Sequence, residues 1–136
     1  MYPEAIVNPM KAELTAAGFK ELTSPEDVDK AVKAEGTTLL VVNSVCGCAA
    51  GAARPGVKKS LENGKKPSNL TTVFAGFDID AVNQARKHFS PYPASSPAIA
   101  LFKNGELVHF VERHNIEGHN ALAISEHLKA VYDEFC

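Results

Sequence analysis

TTLLVVNSVCGCAAG, residues Thr37–Gly51, decides how the rest of the chain reads. Thr37 to Asn43 is β-branched and apolar throughout, the pattern of a central strand covered on both faces. Directly after it come two cysteines separated by one glycine, then a run of small residues that suits the start of a helix. The stretch therefore predicts a strand-to-helix junction with Cys46 at the helix N-terminus. Unpaired amides and the positive end of the dipole favour a thiolate there.

Working outward, Thr71 to Phe77 reads as a second buried strand. Asp78 opens a helix with Ile79, Val82 and Phe89 on its apolar side. Ala98–Phe102 and Leu107–Val111 read as strands joined by Asn104-Gly105, the strongest short hairpin signal. Ala121, Ile124, Leu128, Val131 and Phe135 place an amphipathic stripe on a last helix that starts near Glu117. Pro55 is expected to kink or interrupt the helix after the cysteines. Upstream, Asn8-Pro9 reads as a helix start closed by Gly18, and Ser24-Pro25-Glu26-Asp27 as a better-capped one closed by Gly36. The predicted order αα-βα-βα-ββ-α gives an α/β fold: a thioredoxin-like mixed sheet of four or slightly more strands, helices on both faces, and extra N-terminal helices. Residues 1–136 are expected as one domain, with 1–36 a helical extension and 37–136 the core.

Composition narrows the chemistry. The chain has 136 residues, 45% hydrophobic and 22% charged, which suits a folded domain with its own core. Fourteen Lys and Arg against sixteen Asp and Glu leave a net charge of -2, so there is no basic excess to draw in nucleic acid. The N-terminal MYPEAIVNPMKAEL carries neither a basic region nor an apolar run of signal-peptide length, and no stretch is long enough for a membrane span. No membrane partner and a cytoplasmic, reducing setting are expected. Three cysteines are too few for a disulfide scaffold.

A Cys-x-Cys can serve as a pair of small buried hydrophobes, as ligands for a soft metal ion, or as a redox couple. Zinc usually wants four ligands, there is no second Cys pair, and the five histidines are scattered, so no metal is assigned. The redox reading makes Cys46 the nucleophile and Cys48 the thiol that captures a mixed disulfide. Gly47 is the residue best able to adopt the backbone angles of so tight a ring. Ser95-Ser96-Pro97-Ala98, at the start of a strand, is a place for a cis peptide bond at Ser96-Pro97.

VVNSVCGCAAGAARPG (Val41–Gly56), SSPAIALF (Ser95–Phe102) and VERHNIEGH (Val111–His119) together resemble the bacilliredoxin family over nearly the whole chain, and the motif positions match the family pattern. The resemblance implies a thiol–disulfide oxidoreductase that removes bacillithiol from S-bacillithiolated client proteins. No cofactor is expected to be bound; bacillithiol acts as co-substrate. By the same resemblance Cys46 takes the bacillithiol, Cys48 can close an intramolecular disulfide, and Pro97 is a cis-proline facing the cysteines with Ser96 beside it. Bacillithiol carries two malate carboxylates, so Arg54 and Arg113 are candidates to bind it. Arg113 should emerge on the cysteine side, because Leu107–Val111 is expected to run parallel to Thr37–Asn43. A protein disulfide isomerase or oxidant is the alternative within the same chemistry. A metal or iron–sulfur module is the alternative outside it. Cys136, at the far end of the last helix, is expected at the opposite pole.

Overall fold

The computed structural model describes residues 1–136. Eleven elements succeed one another: α1 (Glu4–Thr15), β1 (Lys20–Glu21), α2 (Pro25–Val32), β2 (Thr37–Asn43), α3 (Arg54–Ser60), β3 (Asn69–Phe74), α4 (Ile79–Lys87), β4 (Ala98–Lys103), β5 (Glu106–Val111), α5 (Arg113–Ile116) and α6 (Ala121–Phe135). The strands form one mixed sheet in the order β1-β3-β2-β4-β5. β2 is parallel to β3 and antiparallel to β4, and β5 is antiparallel to β4. β5 therefore runs parallel to β2, as expected, and the two strands end on the same side.

β2 is central and buried at all seven positions, which its unbroken apolar run requires. Leu39 and Val41 face one core with Ile99, Leu101 and Val111, covered by α1, α3 and α6. Leu40 and Val42 face the other with Ala98, Ala100, Phe102 and Phe110, covered by α2 and α4. Ser24 caps α2 by accepting from the Asp27 amide at 3.2 Å, a contact whose loss costs about 1 kcal/mol. At the hairpin, Asn104 and Gly105 both take positive φ (50° and 87°), the pairing of a type I′ turn that matches strand twist. Opposite it, Leu101 pairs with His109 and Phe102 with Leu107, leaving Val108 as the extra residue of a bulge.

Several expectations change. α1 begins at Glu4, with Pro9 inside it rather than at its start. The Pro3 carbonyl accepts from the Ile6 and Val7 amides, and burial of Val7, Lys11 and Leu14 holds the helix through the proline. The first 36 residues also supply the edge strand β1 and the core residues Leu14, Phe19 and Leu22, so they are more than helix. β3 starts and ends earlier than expected. Ile79, expected on the apolar side of α4, is 47% exposed because the helix begins with it and turns Ala81, Val82 and Ala85 inward. The last helix, expected from about Glu117, begins at Ala121, and a separate short helix precedes it. α5 has a Glu112/Asn115 capping box, Gly118 comes next at φ +79°, and Asn120 caps α6 through the Ala123 amide at 2.8 Å.

Candidate active site

The reactive loop leaves β2 at Asn43, whose buried carboxamide organises the turn carrying the cysteines. Asn43 Oδ1 accepts from the Ser44 amide at 2.8 Å and from Arg54 Nη1 at 2.9 Å. Asn43 Nδ2 donates to the Met10 carbonyl of α1 at 3.2 Å. Ser44 Oγ accepts from the Cys46 amide at 3.0 Å, a local cap for the turn that begins there. The Cys46 carbonyl then accepts from the Ala49 and Ala50 amides. Helical turns continue through a π-helical turn at Ala49–Ala53 into α3. The expected interruption at Pro55 takes this form. The wider turn lies immediately before the proline, which sits in the first turn of α3 where its missing N–H costs nothing.

Both sulfurs are partly exposed. They stand 2.6 Å apart, and Cys46 Sγ also accepts from the Cys48 amide at 3.4 Å. The hydrogen bond from Cys48 is the main reason the Cys46 thiol is held below the ordinary thiol range. The Cys48 and Ala49 amides and the Arg113 charge act in the same direction, against partial burial. Cys48 moves up, first through burial and then because its proton is shared with Cys46. The pair is thus divided into one sulfur disposed to ionise and one disposed to keep its proton. The thiolate is the species that attacks a disulfide.

Arg113 lies at the start of α5, just past the end of β5. Its amide donates to Ser95 Oγ at 3.4 Å and its Nη1 to the Ser96 carbonyl at 3.3 Å, while Nε pairs with Glu117. The Ser96-Pro97 peptide bond is cis and Pro97 is buried. Val42 pairs with Ala98, so the residues leaving β2 and those entering β4 meet at one end of the sheet. Cys46, Cys48, Ser96, Pro97 and Arg113 thus belong to one end of the molecule, as the sequence suggested.

Two site residues depart from expectation. Arg54 is 1% exposed, with its guanidinium given to Asn43, to the Ser44 carbonyl at 2.8 Å and to Glu13 Oε2 at 3.1 Å. It lies beneath the loop, where a substrate carboxylate cannot reach it. Gly47 is exposed and lies outside the left-handed region; a Cβ there would meet no atom within 4 Å. The turn between the cysteines is right-handed and helical, so glycine's special freedom is not drawn on. Sequence reasoning missed Glu13 and Asn43. Asn43 could have been suspected, as a polar residue closing an apolar strand just ahead of the motif.

A cavity of about 390 Å³ lies elsewhere, between β5 and α6, and includes neither cysteine. His109, His114, His119 and His127 line it, with the His109 and His127 Nε2 atoms 2.9 Å apart. Burial, then the neighbouring His127, lower the His109 pKa. No group of three or more His, Cys, Asp or Glu side chains is arranged to hold a metal ion, and no helix is long and apolar enough to cross a membrane.

Known proteins share this architecture. Yeast mitochondrial thioredoxin 3 (oxidized form) superposes with a TM-score of 0.59 at 12% identity, covering 90% of this chain and 98% of that one. The oxidised thioredoxin from Plasmodium falciparum gives 0.56 at 18% identity, covering 85% and 98%. These likenesses establish the thioredoxin fold. Sequence relatives are nearer. A bacilliredoxin from Cytophaga hutchinsonii is 66% identical over 134 residues, 98% of this chain and 99% of that one. Those from Halalkalibacterium halodurans and Staphylococcus epidermidis are 51% and 45% identical, covering 99% and 100% of this chain and 94% of each relative. A family model described as disulphide isomerase matches residues 2–136. A cysteine pair of divided acidity on a thioredoxin fold, with relatives this close over this length, makes the chain a thiol–disulfide oxidoreductase that belongs to the bacilliredoxin family.

Proposed function

We propose that this oxidoreductase removes bacillithiol from S-bacillithiolated client proteins, with Cys46 as the attacking sulfur. The observation that carries the reading is the division of the pair: Cys46 is hydrogen-bonded by Cys48 and by amides, in the field of Arg113. The Cys46 thiolate attacks the bacillithiol sulfur of the mixed disulfide. The client's sulfur leaves as a thiolate and takes up a proton from water. The client is reduced, and Cys46 carries the bacillithiol.

Cys48 then loses its proton and attacks the Cys46 sulfur. A Cys46–Cys48 disulfide forms and bacillithiol leaves as a thiolate. External thiol returns the pair to its reduced form. Arg113, with nearly half its side chain exposed, gives Nε to Glu117 and Nη1 to the Ser96 carbonyl, which leaves Nη2 to meet the malate carboxylates of bacillithiol. Ser96 and Pro97 offer the adjoining backbone to the client chain, and Gly47 leaves the surface over the sulfurs open. No bound cofactor takes part; bacillithiol is the co-substrate, and the clients are bacillithiolated cytoplasmic proteins.

The test compares single-turnover rates on a bacillithiolated protein and on a scrambled-disulfide protein, with Cys48→Ala as a trap. Preference for the first substrate is expected, together with a mass increase of one bacillithiol on Cys46 of the trap. A faster rate on scrambled disulfides would make isomerisation the activity. An adduct on Cys48 of a Cys46→Ala protein, formed at undiminished rate, would reverse the two roles. Arg113→Gln should slow the bacillithiolated substrate several-fold and leave a neutral small-thiol mixed disulfide less affected.

A further inference from the structure

We infer that the Glu13–Arg54 pair positions the reactive loop: Arg54, tied to α1 by Glu13, clamps Asn43 and the Ser44 carbonyl and thereby fixes the turn that presents Cys46. The inference rests on Cys46 being the attacking sulfur. Its ground is an unbroken path of contacts. Arg54 Nη1 reaches the Ser44 carbonyl at 2.8 Å and Asn43 Oδ1 at 2.9 Å. Ser44 Oγ receives the Cys46 amide, and the Cys48 amide one turn later points at Cys46 Sγ. Two residues separate a buried charge from the sulfur.

Packing alone does not call for an arginine here. Arg54 is the bulkiest fully buried side chain in the molecule, and its Nε makes no hydrogen bond; Glu13 Oε2 approaches it at 3.1 Å outside hydrogen-bonding geometry. A buried ion pair is an expensive filler, and apolar replacements of similar volume are often neutral or stabilising. What a guanidinium does and an apolar side chain cannot is hold two acceptors of one loop in a fixed relation through a planar, always-charged group. Glu13 is 40% exposed at its side chain, so it supplies the counter-charge from the rim. Asn43 is tied to the same helix through Met10. The N-terminal helix is therefore part of the support of the active site, not an appendage beside it. Arg54 and Glu13 touch no reacting atom; they act through Asn43 and Ser44.

The experiment measures iodoacetamide alkylation of Cys46 against pH, resolved by peptide mass mapping, in wild type, Arg54→Met, Arg54→Lys and Glu13→Gln, with melting curves for each. A slackened loop moves the Cys48 and Ala49 amides off the sulfur. Arg54→Met is expected to raise the apparent Cys46 pKa by about one unit and slow exchange at pH 7 about three- to fourfold, the roughly tenfold loss of thiolate being partly offset by its greater nucleophilicity. Arg54→Lys keeps the charge but has no second nitrogen to face Glu13 while the first holds Asn43 and Ser44, and should stay slow. Glu13→Gln, at a half-exposed position, should fold normally and shift in the same direction with a rate loss of roughly two- to threefold. It decides the matter if Arg54→Met does not fold. A wild-type pH profile and rate in Glu13→Gln, or in a folded Arg54→Met, overturns the inference. A wild-type Cys46 no more acidic than an ordinary thiol would instead remove the premise that it is the attacking sulfur.

Discussion

The two faces of the sheet are packed on different terms. Beneath α2 and α4 the core is apolar, with an aromatic series in which Phe89 stacks on Phe102 at 6.2 Å and meets Phe110 at 4.9 Å, and Tyr92 stacks on Phe110 at 4.7 Å. Beneath α1, α3 and α6 the apolar core is threaded with buried polar contacts. Arg54 lies under the reactive loop, and a buried Ser60–Tyr132 pair joins α3 to α6 at 2.9 Å. One face holds the sheet together chiefly through area and shape, its hydrogen bonds being Thr38 Oγ1 to the Ala31 carbonyl at 3.3 Å and, at the rim, Asp29 of α2 with Gln84 and His88 of α4 at 2.9 and 2.7 Å. The other also fixes directions, which only hydrogen bonds do, and it is the face on which the helix after the cysteines lies.

The sharpest way to break this contrast is at the cysteine itself. Cys46→Ser should reduce exchange to background and leave melting nearly unchanged, because the sulfur is only partly buried; activity assays and calorimetry on one preparation check both. Residual exchange above a few per cent would mean that another thiol serves.

Next in size is Phe102→Ala on the apolar face, expected to cost about 3–5 kcal/mol in urea unfolding. Where that variant is folded, its Cys46 pH profile should match wild type. A shifted profile would show the faces to be coupled and the division artificial.

Tyr132→Phe probes the polar face away from the site. The hydroxyl contact should be worth about 1 kcal/mol at neutral pH. Burial pushes the Tyr132 pKa up to about 12, with the Ser60 contact opposing. A group raised in the folded state stabilises fully below its unfolded value, near 10 for tyrosine. That contribution is lost as pH rises from there through 12, amounting to ~2–3 kcal/mol. Denaturation at pH 9 and pH 12 should show this loss in wild type and not in Tyr132→Phe.

Smallest of all is Cys136→Ser. α6 starts beyond the end of β5 and runs back along the sheet, carrying the exposed Cys136 away from the reactive end. Single-turnover exchange should be unchanged. An intramolecular Cys46–Cys136 disulfide in monomer would contradict the topology.

What could be read from sequence was whatever depends on neighbours in the chain. β2 declared itself by an unbroken apolar run, α2 by its Ser-Pro cap, the hairpin by Asn-Gly, and the redox pair by lying between a strand and a helix. What could not be read depends on distant partners. Pro9 suggested a helix start because propensity is local, whereas the packing of Val7, Lys11 and Leu14 is not. β1 is two residues long and exists only because β3 offers an edge. Arg54 looked like a surface cation because most arginines are. Its acceptors lie ten and eleven residues back, and its counter-charge forty-one back on another helix. Gly47 was credited with a conformation that the helical turn does not need.

Parallel pairing of β1 with β3, and the hydrogen bond from the Tyr2 amide to the Gly76 carbonyl, set an order of events on the ribosome. α1 and β1 are made before β3: the strand that secures β1 comes about fifty residues after it, and the carbonyl that holds Tyr2 about seventy residues after Tyr2. At about 5–20 residues per second, these segments wait roughly 3–15 s for their partners. Through that interval Lys20 and Glu21 leave the short edge charged, which discourages pairing with a neighbouring nascent chain. This N-terminal segment thus gains its sheet partner only once β3 has emerged, and its α1 carries the carboxylate that reaches the buried arginine.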